Sequence, residues 1–203
     1  MVQIKNILLD RDGTVIVDKH YLCDPQGVEL VPEGGRALAA LQQADMRMYV
    51  VTNQSGIGRG YFTEDDLHAC TVRLDELAEL FGAMIEDTVF CPHAPEEECD
   101  CRKPLTGMWG QLKDMYGLLP EQSVMIGDKQ ADIDFGKNAG LAASILVLTG
   151  KGEKERLKLE LPEIDESTGY VTVTQENGWK LAVAKDLSAA ARWILEELTQ
   201  GEN

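Results

Sequence analysis

Ile7-Leu8-Leu9-Asp10-Arg11-Asp12-Gly13 is the stretch from which the rest of the chain can be read. Ile4, Ile7, Leu8 and Leu9 form a short apolar run with no room for a helix before it, the pattern of a buried strand, and it stops at Asp10. Asp10 and Asp12 lie two apart just past that end, and Gly13 allows a sharp bend, so both carboxylates can enter one small volume at the carboxyl edge of a sheet. Two such anions repel unless a cation joins them. A hard divalent ion such as Mg²⁺ prefers oxygen ligands and would relieve the repulsion while leaving one carboxylate free to attack an electrophile. In most proteins an isolated pair of this kind is a solvated turn, so its chemistry depends on what the chain brings beside it.

With 203 residues, 44% hydrophobic and 27% charged, the chain has the make-up of a single soluble globular domain over 1–203 and lies outside the disordered and fibrous classes. No apolar run approaches membrane-spanning length. The first strand begins without a basic segment and apolar signal core before it, which points to a cytoplasmic protein with reduced thiols. Net charge is −16, from 35 acidic against 19 basic residues, and such a surface repels nucleic acid and anionic lipid. The expected partner is a small anionic molecule met by a few converging cations, with neither nucleic acid nor membrane involved and the protein a monomer.

Beyond Gly13, the polar segment from Val17 to Gly35 is too irregular for a regular element and reads as a flap over the site. A short helix through Ala37–Leu41 leads to an apolar strand, Met46–Val51, which ends in Thr52-Asn53-Gln54-Ser55-Gly56-Ile57-Gly58-Arg59-Gly60. Its glycines let the backbone curl, and a hydroxyl, an amide and several N–H groups can face a phosphoryl oxygen. Arg59 fits a solvated loop cation as well as a ligand. Residues 64–81 carry a helical stripe of Leu67, Cys70, Leu74, Leu77 and Phe81, where Cys70 and His68 need no chemistry.

After a strand near Thr88–Phe90 comes Cys91-Pro92-His93-Ala94-Pro95-Glu96-Glu97-Glu98-Cys99-Asp100-Cys101. Three of five cysteines and one of three histidines fall here, as CxH followed by CxC, a donor set suited to tetrahedral Zn²⁺. A disulfide fits poorly in a reducing compartment, and neighbours in CxC make strained partners. Four protein ligands imply a closed structural site that stiffens a loop with little apolar content. Arg102 and Lys103 follow at once, cations that a rigid loop can aim. A helix over Thr106–Tyr116 with Met108, Leu112 and Met115 precedes a strand at Ser123–Ile126, and Asp128 stands at that strand's end. Lys129 beside it can meet a substrate or the Asp10 carboxylate. A fifth strand, Ser144–Leu148, runs into Thr149-Gly150-Lys151-Gly152. Alternating strands and helices make a doubly wound α/β parallel sheet, with the polar turns gathered at one edge. The tail reads as a hairpin, Tyr170–Thr174 and Trp179–Val183 across Asn177-Gly178, then a terminal helix from Leu187 to Leu198.

Asp10-Arg11-Asp12-Gly13-Thr14-Val15 resembles the first motif of the haloacid dehalogenase superfamily of phosphotransferases, and Thr52, Lys103 and Asp128 stand at its later motifs in order. The strings TNQSGIGRG and CxH…CxCRKP resemble the branch containing D-glycero-D-manno-heptose 1,7-bisphosphate phosphatases and histidinol-phosphate phosphatases. The resemblance implies a Rossmann-like fold without a large cap domain and a magnesium-dependent phosphomonoester hydrolase. It implies that Asp10 is the nucleophile, Asp12 the acid and base, and Thr52 and Lys103 the holders of the transferring phosphoryl group. Magnesium would rest on Asp10, the backbone carbonyl of Asp12, and Asp128, with Asp132 orienting groups from behind. Substrate contacts would come from the flap string with Asp18, Lys19, His20 and Tyr21, from Asn53, Gln54, Ser55 and Arg59, and from Arg102 and Lys129.

The substrate expectation rests on two conflicting signals. Five residues between His93 and Cys99 look like the histidinol-phosphate enzymes, whereas the flap, the SGIGRG loop and the LTGKG turn look like the heptose bisphosphatases. Pocket-lining groups select substrates and surface loops change length cheaply, so the second signal weighs more. Arg102, Lys103 and Lys129, with Arg59 as a further candidate, also outnumber what one phosphate needs and would repel an ammonium group. The expected reaction is therefore release of the 7-phosphate from a heptose 1,7-bisphosphate, with histidinol phosphate hydrolysis or non-catalytic sugar-phosphate binding as alternatives.

Overall fold

The structure, a computed structural model, describes residues 3–174 and 179–198. In chain order it contains β1 (Asn6–Leu9), α1 (Gly34–Gln43), β2 (Arg47–Asn53), α2 (Ser55–Gly58), α3 (Glu64–Glu79) and β3 (Ile85–Cys91). There follow α4 (Gly107–Tyr116), β4 (Ser123–Gly127), α5 (Gln130–Asn138), β5 (Ala143–Val147) and α6 (Gly152–Lys158). The chain closes with β6 (Tyr170–Thr174), β7 (Lys180–Ala184) and α7 (Leu187–Trp193), which widens into a π-helical stretch, Ile194–Leu198.

The strands form one sheet in the order β3-β2-β1-β4-β5-β7-β6, parallel throughout except for β6, which runs against β7. Strand β1 lies between β2 and β4, with Leu9 opposite both Val50 and Ile126. The connections leave β1 toward opposite sides of the sheet, so the crevice at its carboxyl end is a topological switch point. Side chains alternate along β1: Ile7 and Leu9 pack with α1, α3 and α7, through Leu38, Leu41, Leu74 and Trp193. Leu8 faces the other layer, where Met108, Leu112 and Phe135 of α4 and α5 cover Tyr49, Val51 and Met125. This two-sided burial is why these strands are almost wholly apolar.

Local chemistry sets the helix ends. Thr63 and Asp66 form a capping box at the start of α3, whose first turn carries three acids that suit the helix dipole. Gly117, at φ 65°, closes α4 in the left-handed conformation that glycine tolerates. Asp186 caps α7 by accepting from the Ala189 N–H at 2.8 Å.

Several boundaries differ from the expectation. Strand β2 continues through Thr52 and Asn53, and β3 begins at Ile85, because edge-strand pairing with β2 extends beyond the apolar positions. Phe81 lies past the end of α3 and is half exposed, while Ala78 takes the buried place on the stripe. Met115 is likewise exposed, and Trp109 fills the inner face of α4. The charged string of α6 carries too few apolar residues to announce a helix. The expected strand pair exists as β6 and β7, joined to the main sheet through β5; its turn at Asn177-Gly178 lies outside the described residues. Among the described residues no cap domain rises from the connections, and no helix is long and apolar enough to cross a membrane.

Trp193 is fully buried and its indole N–H donates to Thr172 Oγ1 at 2.8 Å, tying α7 to β6. Trp193→Ala should therefore lower unfolding stability by about 3–5 kcal/mol in a single transition, the usual cost of emptying an aromatic core site. Urea denaturation measures this, and a loss under about 1 kcal/mol would mark α7 as peripheral.

Candidate active site

Asp10 leaves β1 only 3% exposed, with its N–H bonded to the Ile126 carbonyl of β4. Each of its carboxylate oxygens meets one ammonium group: Oδ1 accepts from Lys103 Nζ at 2.8 Å and Oδ2 from Lys129 Nζ at 2.9 Å. Burial works to raise this carboxyl, but the two lysines outweigh it and hold it well below the usual carboxylate range. Lys103 also donates to the Val51 carbonyl at 2.6 Å and pairs with Asp132 at 2.6 Å. Asn53 fixes its backbone from both sides, accepting from the Lys103 N–H at 2.9 Å and donating to its carbonyl at 3.1 Å. Its ammonium thus meets three oxygens, of Asp10, Val51 and Asp132.

Lys129 differs: its side chain is 33% exposed, against 2% for Lys103. Its Nζ touches Asp10 Oδ2 at 2.9 Å, the Asp12 carbonyl at 3.3 Å and Asp128 Oδ1 at 2.5 Å. One cation thus stands among the three oxygens expected to bind magnesium, and an all-oxygen set is what that ion requires. Asp10, Asp128 and Asp132 place carboxylate oxygens within 4.8 Å of one another. Asp132 is committed elsewhere, to Lys103 and to the Lys129 N–H at the start of α5, which leaves the Asp12 carbonyl as the third donor. Burial and the negative charge of Asp10 push Asp128 up to about 7, against the pull of Lys129 and of the Lys151 N–H. A divalent cation would relieve that repulsion, so the residues fit the ion.

Around Asp10 opens a cavity of about 310 Å³. It is lined by Asp12, Thr52, Asn53, Gln54 and Ser55 and by the cations Arg102, Lys103 and Lys129. From the flap come Asp18, His20 and Tyr21. The backbones of His20 and Tyr21 are left-handed, at φ 53° and 56°, a conformation unusual for such residues. Two expected contacts are not brought in. Lys19 turns to Glu29 and the Gly27 carbonyl, and Arg59 pairs with Glu96 at 3.4 Å on the surface. Five lining residues have no site role in the sequence reading: Arg11, Leu22, Gly56, Ala131 and Lys151. Lys151 had a signal in the glycine-flanked turn after β5, and Tyr61, which packs edge-on to Tyr21 at 4.8 Å between ring centres, had none.

Cys91, at the end of β3, meets His93, Cys99 and Cys101 in a second cluster whose four donor atoms lie within 4.8 Å of one another. The five cysteines of the chain are all free, so no disulfide competes for them. One imidazole and three sulfurs at this spacing could hold a tetrahedral metal. The cluster sits directly before Arg102, whose guanidinium donates to the His93 carbonyl at 3.3 Å.

A nearly buried aspartate at the end of the central parallel strand, a second two residues on, and two converging lysines define a phosphohydrolase of the haloacid dehalogenase type. Residues 100–172 match a family model described as HAD-hydrolase-like. The D-glycero-beta-D-manno-heptose-1,7-bisphosphate 7-phosphatase of Haemophilus ducreyi is 40% identical over 74% of this chain and 90% of its own length. That of Bordetella bronchiseptica is 32% identical over 96% and 99%. The crystal structure of the D,D-heptose 1,7-bisphosphate phosphatase from B. bronchiseptica, complexed with magnesium and phosphate, superposes with a TM-score of 0.80 at 33% identity, covering 96% of this chain and 99% of that one. This chain belongs to the family of D-glycero-D-manno-heptose-1,7-bisphosphate 7-phosphatases.

The site also depends on backbone room. Gly150 has φ 56°, and a Cβ there would lie 2.3 Å from Asp128 Oδ2 and 2.7 Å from the Gly13 Cα. Gly150→Ala should cost about 2–4 kcal/mol, combining the left-handed penalty with overpacking. Thermal and urea midpoints test this; an unchanged midpoint would mean that the turn after β5 moves freely against Asp128.

Proposed function

We propose that this protein hydrolyses the 7-phosphate of D-glycero-D-manno-heptose 1,7-bisphosphate through an aspartyl-phosphate on Asp10. The observation that carries the reading is the Asp10 carboxylate, kept ionised by two ammonium groups at the floor of a polar cavity. An ionised, desolvated carboxylate is a competent nucleophile, and fixed cations beside it offset charge on the equatorial oxygens of a phosphoryl group. Asp10 attacks phosphorus, the ester bond breaks, and the leaving oxygen takes a proton from Asp12. Water then attacks the aspartyl-phosphate, returning a proton to Asp12 and freeing phosphate and the Asp10 carboxylate. Lys103 holds the phosphoryl group from a fixed position, with Thr52 beside it. Lys129, being partly exposed, can swing toward the substrate. Magnesium on Asp10, Asp128 and the Asp12 carbonyl would supply further charge neutralisation at the phosphoryl oxygens.

Substrate choice follows from the cations and from the family. Arg102 lines the cavity in addition to the two lysines that pair with Asp10, as suits a second phosphate, and the relatives reported above carry the heptose bisphosphatase name. Zinc on Cys91, His93, Cys99 and Cys101 would stiffen the loop that delivers Arg102 and Lys103. That loop has four polar or acidic residues among its exposed positions and little core of its own.

Asp10→Asn should leave a folded protein with phosphatase activity lower by about 10³-fold or more, since an amide is a far poorer nucleophile. Near-normal turnover in steady-state assays would sink the mechanism. Arg102→Ala should cut the kcat/KM advantage of heptose 1,7-bisphosphate over histidinol phosphate by about tenfold or more, the worth of one charge-assisted hydrogen bond. Parallel kinetics on the two substrates decide it, and a wild-type preference for histidinol phosphate would reverse the assignment. Cys101→Ser should lower bound zinc below one per chain and lower the melting temperature before it alters chemistry on the folded fraction. Elemental analysis that finds a full equivalent of zinc in this variant would remove Cys101 from the ligand set.

A further inference from the structure

We propose that Arg11 and Gln54 are positioning residues, a buried clamp that holds the Asp12 carboxylate so that Oδ1 is the oxygen offered to the leaving group. This rests on the reading of Asp12 as acid and base and adds how its side chain is aimed. Oδ2 of Asp12 is saturated: it accepts from Arg11 Nε at 3.0 Å and Gln54 Nε2 at 2.9 Å, with Arg11 Nη2 also 3.0 Å away. Among the described residues Oδ1 accepts only from Arg11 Nη2, at 3.1 Å, and keeps an open lone pair. Gln54 joins the halves of the clamp, accepting from Arg11 Nη2 at 3.3 Å and donating to Thr52 Oγ1 at 2.8 Å. Its amide is therefore spent within the protein, whereas the sequence had offered it as a substrate contact.

The cost of this arrangement argues that it has a task. Arg11 is 1% exposed and Gln54 5%, while the Asp12 side chain reaches the cavity at 21%. A guanidinium is expensive to bury, and Nη1 of Arg11 is buried with no hydrogen-bond partner among the described residues. An apolar residue between the two aspartates would fill the same space without that penalty. What it could not do is fork onto a carboxylate and fix both of its torsions, and proton transfer to a leaving oxygen depends on such alignment. A lysine would keep the charge and lose the fork.

The test compares Arg11→Lys and Gln54→Met with Asp12→Asn, measuring kcat and KM on a sugar phosphate and on 4-nitrophenyl phosphate, whose leaving group needs little protonation. The clamp predicts that Arg11→Lys and Gln54→Met each lose at least about tenfold more kcat on the sugar phosphate than on the nitrophenyl ester, with KM little changed. Equal losses on both esters, or normal kcat in Arg11→Lys, would overturn it, because charge and packing alone would then explain both residues. Should Arg11→Lys fail to fold, the ratio in Gln54→Met decides by the same criterion. If Asp12→Asn itself does not distinguish the esters, the acid–base reading fails and the clamp falls with it. If only Asp12→Asn distinguishes them, the clamp alone is removed.

Discussion

The pairing of the Asp10 carboxylate with the ammonium groups of Lys103 and Lys129 is the contact on which the molecule's architecture turns. Burying one anion is costly, and here Asp12, Asp128 and Asp132 crowd beside it, paired among the described residues with Arg11, Lys103 and Lys129. Such a cluster is stable only when each group is held at its partner's distance. Parallel strands supply that rigidity: β1, β2 and β4 end side by side, and their backbone ladders fix the separation of Asp10, Thr52 and Asp128. The unfavourable balance persists at Asp128, which burial drives toward neutrality, and the same excess of oxygen ligands makes the place receptive to a divalent cation.

Rigidity is distributed unevenly around this cluster, and the unevenness matters for function. Lys103 is clasped by Asn53 from β2 and reached through the cysteine–histidine loop, so two unrelated elements agree on where its ammonium lies. The loop itself, from Pro92 to Asp100, buries almost nothing apart from Ala94, and a shared metal centre would give it the cohesion that apolar packing cannot. On the opposite side the flap is tied by a few bridges, including Ile16 to Leu30, and by the aromatic contact of Tyr21 with Tyr61. A fixed floor under a lightly tethered cover suits a site that must admit a ligand and then exclude bulk water.

Arg11 illustrates how a single buried residue can link chemistry to fold. It sits between two aspartates in sequence, yet its guanidinium turns to one of them and to Gln54, bridging β1 and the turn after β2. Local neighbours thereby become a tertiary contact. The net charge of −16 is compatible with this interior, because the cations that matter are concentrated where the strands end while the acidic excess is spread over the surface.

The sequence by itself determined the strand–helix alternation, the carboxylates at strand ends and the donor spacing of the cysteine–histidine loop. These are properties of residues close in the chain: an apolar run that halts at Asp10, a CxH and a CxC, a glycine beside an acid. Only the tertiary structure decided that Lys19 and Arg59 face away, that Arg11 and Lys151 line the cavity, and that Phe81 and Met115 lie outside the core. It also decided that β6 and β7 extend the main sheet beyond β5. Periodicity records which face of an element is apolar, but which residues meet across elements depends on strand register and on where each connection re-enters the sheet. For that reason the Asp10–Lys103 contact, 93 residues apart in the chain, is fixed by the alignment of Leu9 with Val50 and by the clasp of Asn53 on Lys103, neither of which leaves a local trace.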